Sequence, residues 1–171
     1  MPESLGLKSN SMTSENKVSQ VLLPILVGGL IAGALDITYA CVFSYFRSGR
    51  KPITILQSVA SGALGRSAYE GGAKTAALGL GFHFLIALIA ATVYFLASRV
   101  LRFMVTRPII SGILYGLGVY LFMNCVVLQL SAIHSTTYPW SYPRSVLISG
   151  LLIHMFGIGL PIALAVRKFS R

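Results

Sequence analysis

Apolar residues along the chain are gathered into four long blocks: Val21–Phe46, Ala76–Ala97, Pro108–Leu130 and Val146–Val166. They do not mark one face of a soluble helix, nor do they alternate as in a half-buried strand. A helix rises 1.5 Å per residue, so about 20 residues cross ~30 Å of hydrocarbon. Each block reaches that length. Helices satisfy their own backbone hydrogen bonds in lipid, and the alternation of a membrane barrel is missing. The pattern predicts an all-α integral membrane bundle of four transmembrane helices over about 21–46, 76–97, 108–130 and 146–166.

The segments between the blocks carry the turn and surface signals. Residues 1–20, MPESLGLKSNSMTSENKVSQ, are polar and are expected to form a disordered tail ahead of a transmembrane domain over 21–171. The apolar block that follows is too long for a signal-peptide core and has no small-residue cleavage site, so it is expected to stay as an anchor. The first loop contains PITILQSVASGALG. Ile53, Leu56, Ala60 and Leu64 share one helical face there, with Thr54, Gln57, Ser58 and Ser61 mostly on the other. Pro52 suits a first helical position and Gly65 a stop. This reads as a short interfacial helix, lying on the membrane surface or folding back against the bundle. In the third loop Tyr138, Trp140 and Tyr142 read as an interfacial aromatic belt.

Composition supports the membrane reading. Hydrophobic residues make up 55% and charged ones 11%, less than half the ~25% of a soluble domain. Mean hydropathy is +0.77. The net charge of +10 would suggest nucleic acid for a soluble protein. Here the lysines and arginines lie between and beyond the apolar blocks, where they anchor helix ends and meet anionic headgroups. The lipid bilayer is therefore the expected partner and nucleic acid is not. A second copy of the chain or another membrane protein is left open as a further partner. Four spans put both termini on one side. That side carries eight basic residues (Lys8, Lys17, Arg99, Arg102, Arg107, Arg167, Lys168, Arg171) against six on the other. The positive-inside rule then places both termini in the cytoplasm. Cys41 and Cys125 lie within blocks and read as small apolar core residues, with no disulfide framework.

Each block contributes a polar residue to a common level: Asp36, His83, Asn124 and His154. The second and fourth helices run in the same direction, and their histidines lie roughly 10–12 Å in from the same face. Asp36, on a helix that ends at that face, is roughly 15 Å deep, and Asn124 lies near the end of its own. The four fall in one band. Each also shares a helical face with small residues: Asp36 with Gly29 and Gly33, His83 with Gly79 and Ala87, Asn124 with Gly112 and Gly116, His154 with Gly150 and Gly157. Small residues mark close helix approach, so the polar groups are expected to face inward. A charge at such depth costs at least ~2.5–3.5 kcal/mol on insertion scales, which calls for partners. Asp36 with His83 or His154 is the expected pair.

Three roles fit such a layer. It can fix helix register through hydrogen bonds. It can be a proton or ion pathway, since intramembrane ionisable residues mark relays. Or His83, His154 and Asp36 can serve as ligands to a metal or haem. No nucleotide, zinc-protease or nucleophile-elbow motif is present, so no enzymatic activity is expected and the cofactor is left open. The leading expectation is a small integral membrane protein, accessory or transport-related, built around this polar layer.

Two patterns suggest relationships. GLGFH (79–83) and GLLIH (150–154) both place Gly four residues before His, and Gly29/Gly33 and Gly112/Gly116 repeat the same spacing. A duplicated two-helix hairpin would produce both. In addition, FHFLIALIAATVYFLASRVL (82–101), SGILYGLGVYLFMN (111–124), YPWSYP (138–143) and LLIHMFGIGLPIALAVRK (151–168) resemble the YagU-like family of small bacterial inner-membrane proteins. The shared pattern is a His early in the second helix, a G-x-x-x-G third helix, a Pro/Trp loop and a His-bearing last helix ending in basic residues. The resemblance implies a bacterial inner-membrane location and supplies no reaction.

Overall fold

A computed structural model describes residues 3–169, with side chains from Val18 onward. Four long helices dominate it: α1 (Glu3–Ser48), α3 (Gly72–Val100), α5 (Pro108–Leu130) and α6 (Arg144–Phe169). Between them lie the 13-residue α2 (Pro52–Leu64) and the single turn α4 (Phe103–Thr106). Among the described residues there is no strand. All four long helices have the length and apolar character to cross a membrane, α1 doing so over Val18–Ser48. The chain is an all-α, multi-pass membrane protein. Large apolar residues such as Leu30, Leu85, Ile89, Leu114 and Phe156 are exposed on the outside of the bundle, as lipid contact requires. The disordered tail expected over 1–20 lies, up to position 17, outside the residues whose side chains are described.

Lipid is as apolar as a leucine core, so helices here associate by close packing rather than by escape from water. Glycines make that packing possible. α1 lies between α3 and α6. A Cβ on Gly33 would lie 2.8 Å from the Phe84 ring of α3, and one on Gly28 would lie 3.2 Å from the Ile162 backbone of α6. α5 packs on α6 more tightly still. A Cβ on Gly116 would collide with the His154 carbonyl, and one on Gly159 with the Gly112 carbonyl. The two four-spaced glycine pairs of the sequence therefore sit at two crossings, α1–α3 and α5–α6.

α3 and α5, by contrast, have little direct backbone contact among the described residues. Side chains bridge them near the α4 end. The Tyr94 hydroxyl donates to the Met104 carbonyl at 2.9 Å and lies 2.8 Å from Ser111 Oγ. The Tyr115 hydroxyl donates to the Ala90 carbonyl at 2.6 Å.

α2 forms as expected and folds back on the bundle, but its inward side is mixed: Ile55 and Ala60 are buried together with polar Gln57 and Ser61. Ile53 and Leu64 are 40% and 43% exposed. A helix on a water interface would turn its polar side outward. Here the inward polar groups find partners: Gln57 Nε2 donates to the Gly72 carbonyl at 3.0 Å, and Ser61 Oγ to the Ser58 carbonyl at 2.7 Å. Gly79 of α3 admits the α2 backbone, since a Cβ there would collide with the Leu56 carbonyl. The far end of α2 is tied to the third loop, where Ala132 N–H donates to the Gly62 carbonyl at 2.8 Å. An apolar outside and a hydrogen-bonded inside suit a short helix set against lipid.

These contacts separate glycines that are required from those that are not. Gly159→Val is expected to destabilise the fold by ~3 kcal/mol or more, because backbone must move to admit the side chain. Gly81→Ala meets open space and is expected to be neutral or slightly stabilising. Thermal unfolding of the two variants in one mild detergent, followed by circular dichroism, checks the contrast. Equal melting temperatures would contradict it.

Candidate functional site

Three of the four polar residues meet. Asp36 of α1, His83 of α3 and His154 of α6 line one cavity of about 200 Å³. The rest of its wall is apolar and includes Val59, contributed by α2. The structure therefore brings these three residues together from three helices.

The expected Asp36–His83 pair forms as a near neighbour rather than as a hydrogen bond. His83 Nε2 lies 4.0 Å from Asp36 Oδ2, with the two side chains 13% and 18% exposed. That same nitrogen is 2.9 Å from the Gly33 carbonyl. A carbonyl only accepts, so the ring donates its Nε2–H there. Gly33 makes the bond possible by letting α3 approach its backbone. His154 behaves alike within its own helix, with Nδ1–H donating to the Gly150 carbonyl at 2.9 Å. Its ring stands edge-on to Tyr120 at 5.2 Å. In its neutral form each imidazole thus uses its N–H on backbone and keeps a lone pair on the other nitrogen: Nδ1 of His83 and Nε2 of His154. With the Asp36 carboxylate added, the ionisable lining is rich in acceptors.

Asn124 does not join this group, which corrects the expected four-residue layer. It is buried, but its neighbour Met123 takes the place on the cavity wall. Its amide is satisfied elsewhere. Nδ2 donates to the Tyr120 carbonyl one turn back at 2.8 Å, and Oδ1 accepts the Tyr142 hydroxyl at 3.1 Å. Burial pushes the Tyr142 phenol above its ordinary range, with the nearby Cys125 thiol adding to the shift, so it stays a donor at neutral pH. Close by, the Tyr120 hydroxyl is buried and has no hydrogen-bond partner among the described residues.

The helices also deviate where the polar residues sit. α5 widens to a π-helical turn over Met123–Val127, and α6 over Ile153–Gly159. The first contains Asn124 and the second His154. Such turns are rare and occur often at functional sites. A 3.6-residue reading of the sequence gives no sign of them. Gly150, Gly157 and Gly159 around His154 are the nearest thing to a signal, since small residues tolerate the wider turn.

Metal ligation needs convergence as well as shared lining. Among the described residues, no three His, Cys, Asp or Glu side chains gather in a way that could hold a metal ion. Asp36, His83 and His154 thus share a cavity without forming a ligand set. No family model, curated protein or solved structure matches the chain.

The ring assignments are testable directly. Solid-state ¹⁵N spectra of histidine-labelled protein in lipid are expected to show, beside the signal of the loop residue His134, one neutral ring protonated on Nε2 (His83) and one on Nδ1 (His154), assigned with His83→Ala and His154→Ala. A His83 signal protonated on Nδ1 would exclude the bond to Gly33. In the separate polar group, Tyr142→Phe is expected to cost about 0.5–1.5 kcal/mol of stability, the ordinary net value of one hydrogen bond. Asn124→Ala should cost more than Tyr142→Phe in the same melting assay, because it removes two bonds.

Proposed function

We propose that this protein handles protons within the membrane, as a transport-related component whose relay groups are Asp36, His83 and His154. The observation that carries this reading is their convergence from three helices onto one otherwise apolar cavity inside the spans. Ionisable groups are expensive at that depth and typically mark ion or proton pathways. Imidazole titrates near neutrality. Both rings here hold a lone pair ready for a proton while their N–H groups are fixed on backbone. A register-fixing role is served by the His83–Gly33 bond from α3 to α1, but it gives no part to Asp36, whose carboxylate stands 4.0 Å from His83.

Two further elements belong to the proposal. Both termini face the cytoplasm, on the eight-to-six balance of basic residues. The location is a bacterial inner membrane, on the resemblance of 82–101, 111–124, 138–143 and 151–168 to the YagU-like family.

The test is proton uptake into proteoliposomes loaded with a pH-sensitive dye under an imposed potential. A positioned acid–base group typically contributes ~10²–10⁴-fold, so Asp36→Asn and His83→Ala are each expected to lower the flux about tenfold or more above leak. Both variants should remain monodisperse in detergent. Folded Asp36→Asn with wild-type flux would remove the relay. Orientation is checked separately: a fluorescent protein fused after Arg171 is expected to light up, and alkaline phosphatase at the same place to stay inactive.

A further inference from the structure

We infer that the cavity is entered from the lipid and takes the ammonium head of a single-chain amphiphile, whose tail lies in the groove between α3 and α5. That groove has a volume of about 430 Å³, within the ~300–1,000 Å³ of small-molecule sites. It exists because α3 and α5 scarcely touch along this stretch. Its walls are apolar, and the Tyr115 hydroxyl on them is already committed to the Ala90 carbonyl. Nothing in it would bind a polar molecule, whereas an alkyl chain fits its chemistry.

The groove and the polar cavity are adjacent: Ile86, Ala90, Val119 and Met123 line both. The inner end of a molecule in the groove therefore lies next to the cavity of Asp36, His83 and His154. Those groups offer a carboxylate and two imidazole lone pairs, with both ring N–H donors already used. The complementary head is a donor, and an ammonium adds charge complementarity to Asp36. A carboxylate head would meet acceptors and like charge. The inference deepens the proton reading by naming what enters the same cavity, and it rests on that reading in requiring an ionisable, reachable Asp36.

The experiment uses the full chain in phosphatidylcholine nanodiscs and two nitroxide probes of equal chain length, a primary amine and a carboxylic acid. Electron paramagnetic resonance reports the fraction of each probe held immobile. The amine is expected to show a saturable immobile fraction at roughly tenfold lower concentration than the acid, the order expected from one charge-assisted hydrogen bond. Asp36→Asn should abolish that preference. Gly118→Trp fills the groove at a position where an added Cβ meets nothing within 4 Å, and should release the amine. Gly81→Trp, on open α3 surface outside the groove, should not. Equal immobilisation of amine and acid, or full binding in folded Gly118→Trp, overturns the inference. So does displacement of the amine by phosphatidylethanolamine at equal mole fraction, which would point to a two-chain lipid. Asp36-dependent proton flux without amine preference would leave the relay standing and this site refuted. Amine preference without flux would do the reverse.

Discussion

Everything in this bundle follows from how closely two backbones approach where glycine removes the side chain between them. In water, helices are pressed together by the hydrophobic effect. In lipid that pressure is absent, and contact itself must supply the attraction. Gly33 brings α3 near enough for its carbonyl to receive the His83 ring. Gly116 likewise lets α6 close on α5, with the His154 backbone carbonyl against it. The place of the His83 ring is thus a product of the packing, whereas the His154 ring is held within its own helix by the Gly150 carbonyl.

Close approach at those two crossings has a counterpart elsewhere. The chain concentrates small residues at α1–α3, α1–α6 and α5–α6, leaving α3–α5 loosely joined. Four helices in a ring need four tight seams, and this ring has three. Tyr94 and Tyr115 pin the fourth seam toward the α4 end. Toward the other end it stays apart, and Val59 of α2 reaches the cavity there. The polar cavity is consequently closed by protein on the α1 and α6 sides and bordered by apolar groove on the other.

Much of this was legible in the sequence. Block length gave the spans, and counting residues along them put Asp36, His83 and His154 at one depth. Glycine spacing marked faces of close approach, but not which helices meet there. What escaped the reading has physical causes. The π-helical turns at Asn124 and His154 break the 3.6-residue period on which face assignments rest, and no residue type announces them. Asn124 was grouped with the layer by depth, but a short amide can be satisfied by the carbonyl one turn below it, and here it is. α2 was read by the rule for helices at a water interface. Its neighbours are protein and hydrocarbon, so Gln57 and Ser61 turn inward beside Ile55 and Ala60 while Ile53 and Leu64 stay exposed. The groove is a relation between two helices 20 or more positions apart, and a linear pattern holds no trace of it.

α2 also bears on how the chain is assembled. It leaves the ribosome before the elements that satisfy it. Its Gln57 needs the Gly72 carbonyl, its backbone needs the notch at Gly79, and its last turn needs Ala132 in the third loop. The first two partners follow directly in α3, whereas the third arrives only after α5. The seat of α2 is therefore completed by chain made well after α2 itself.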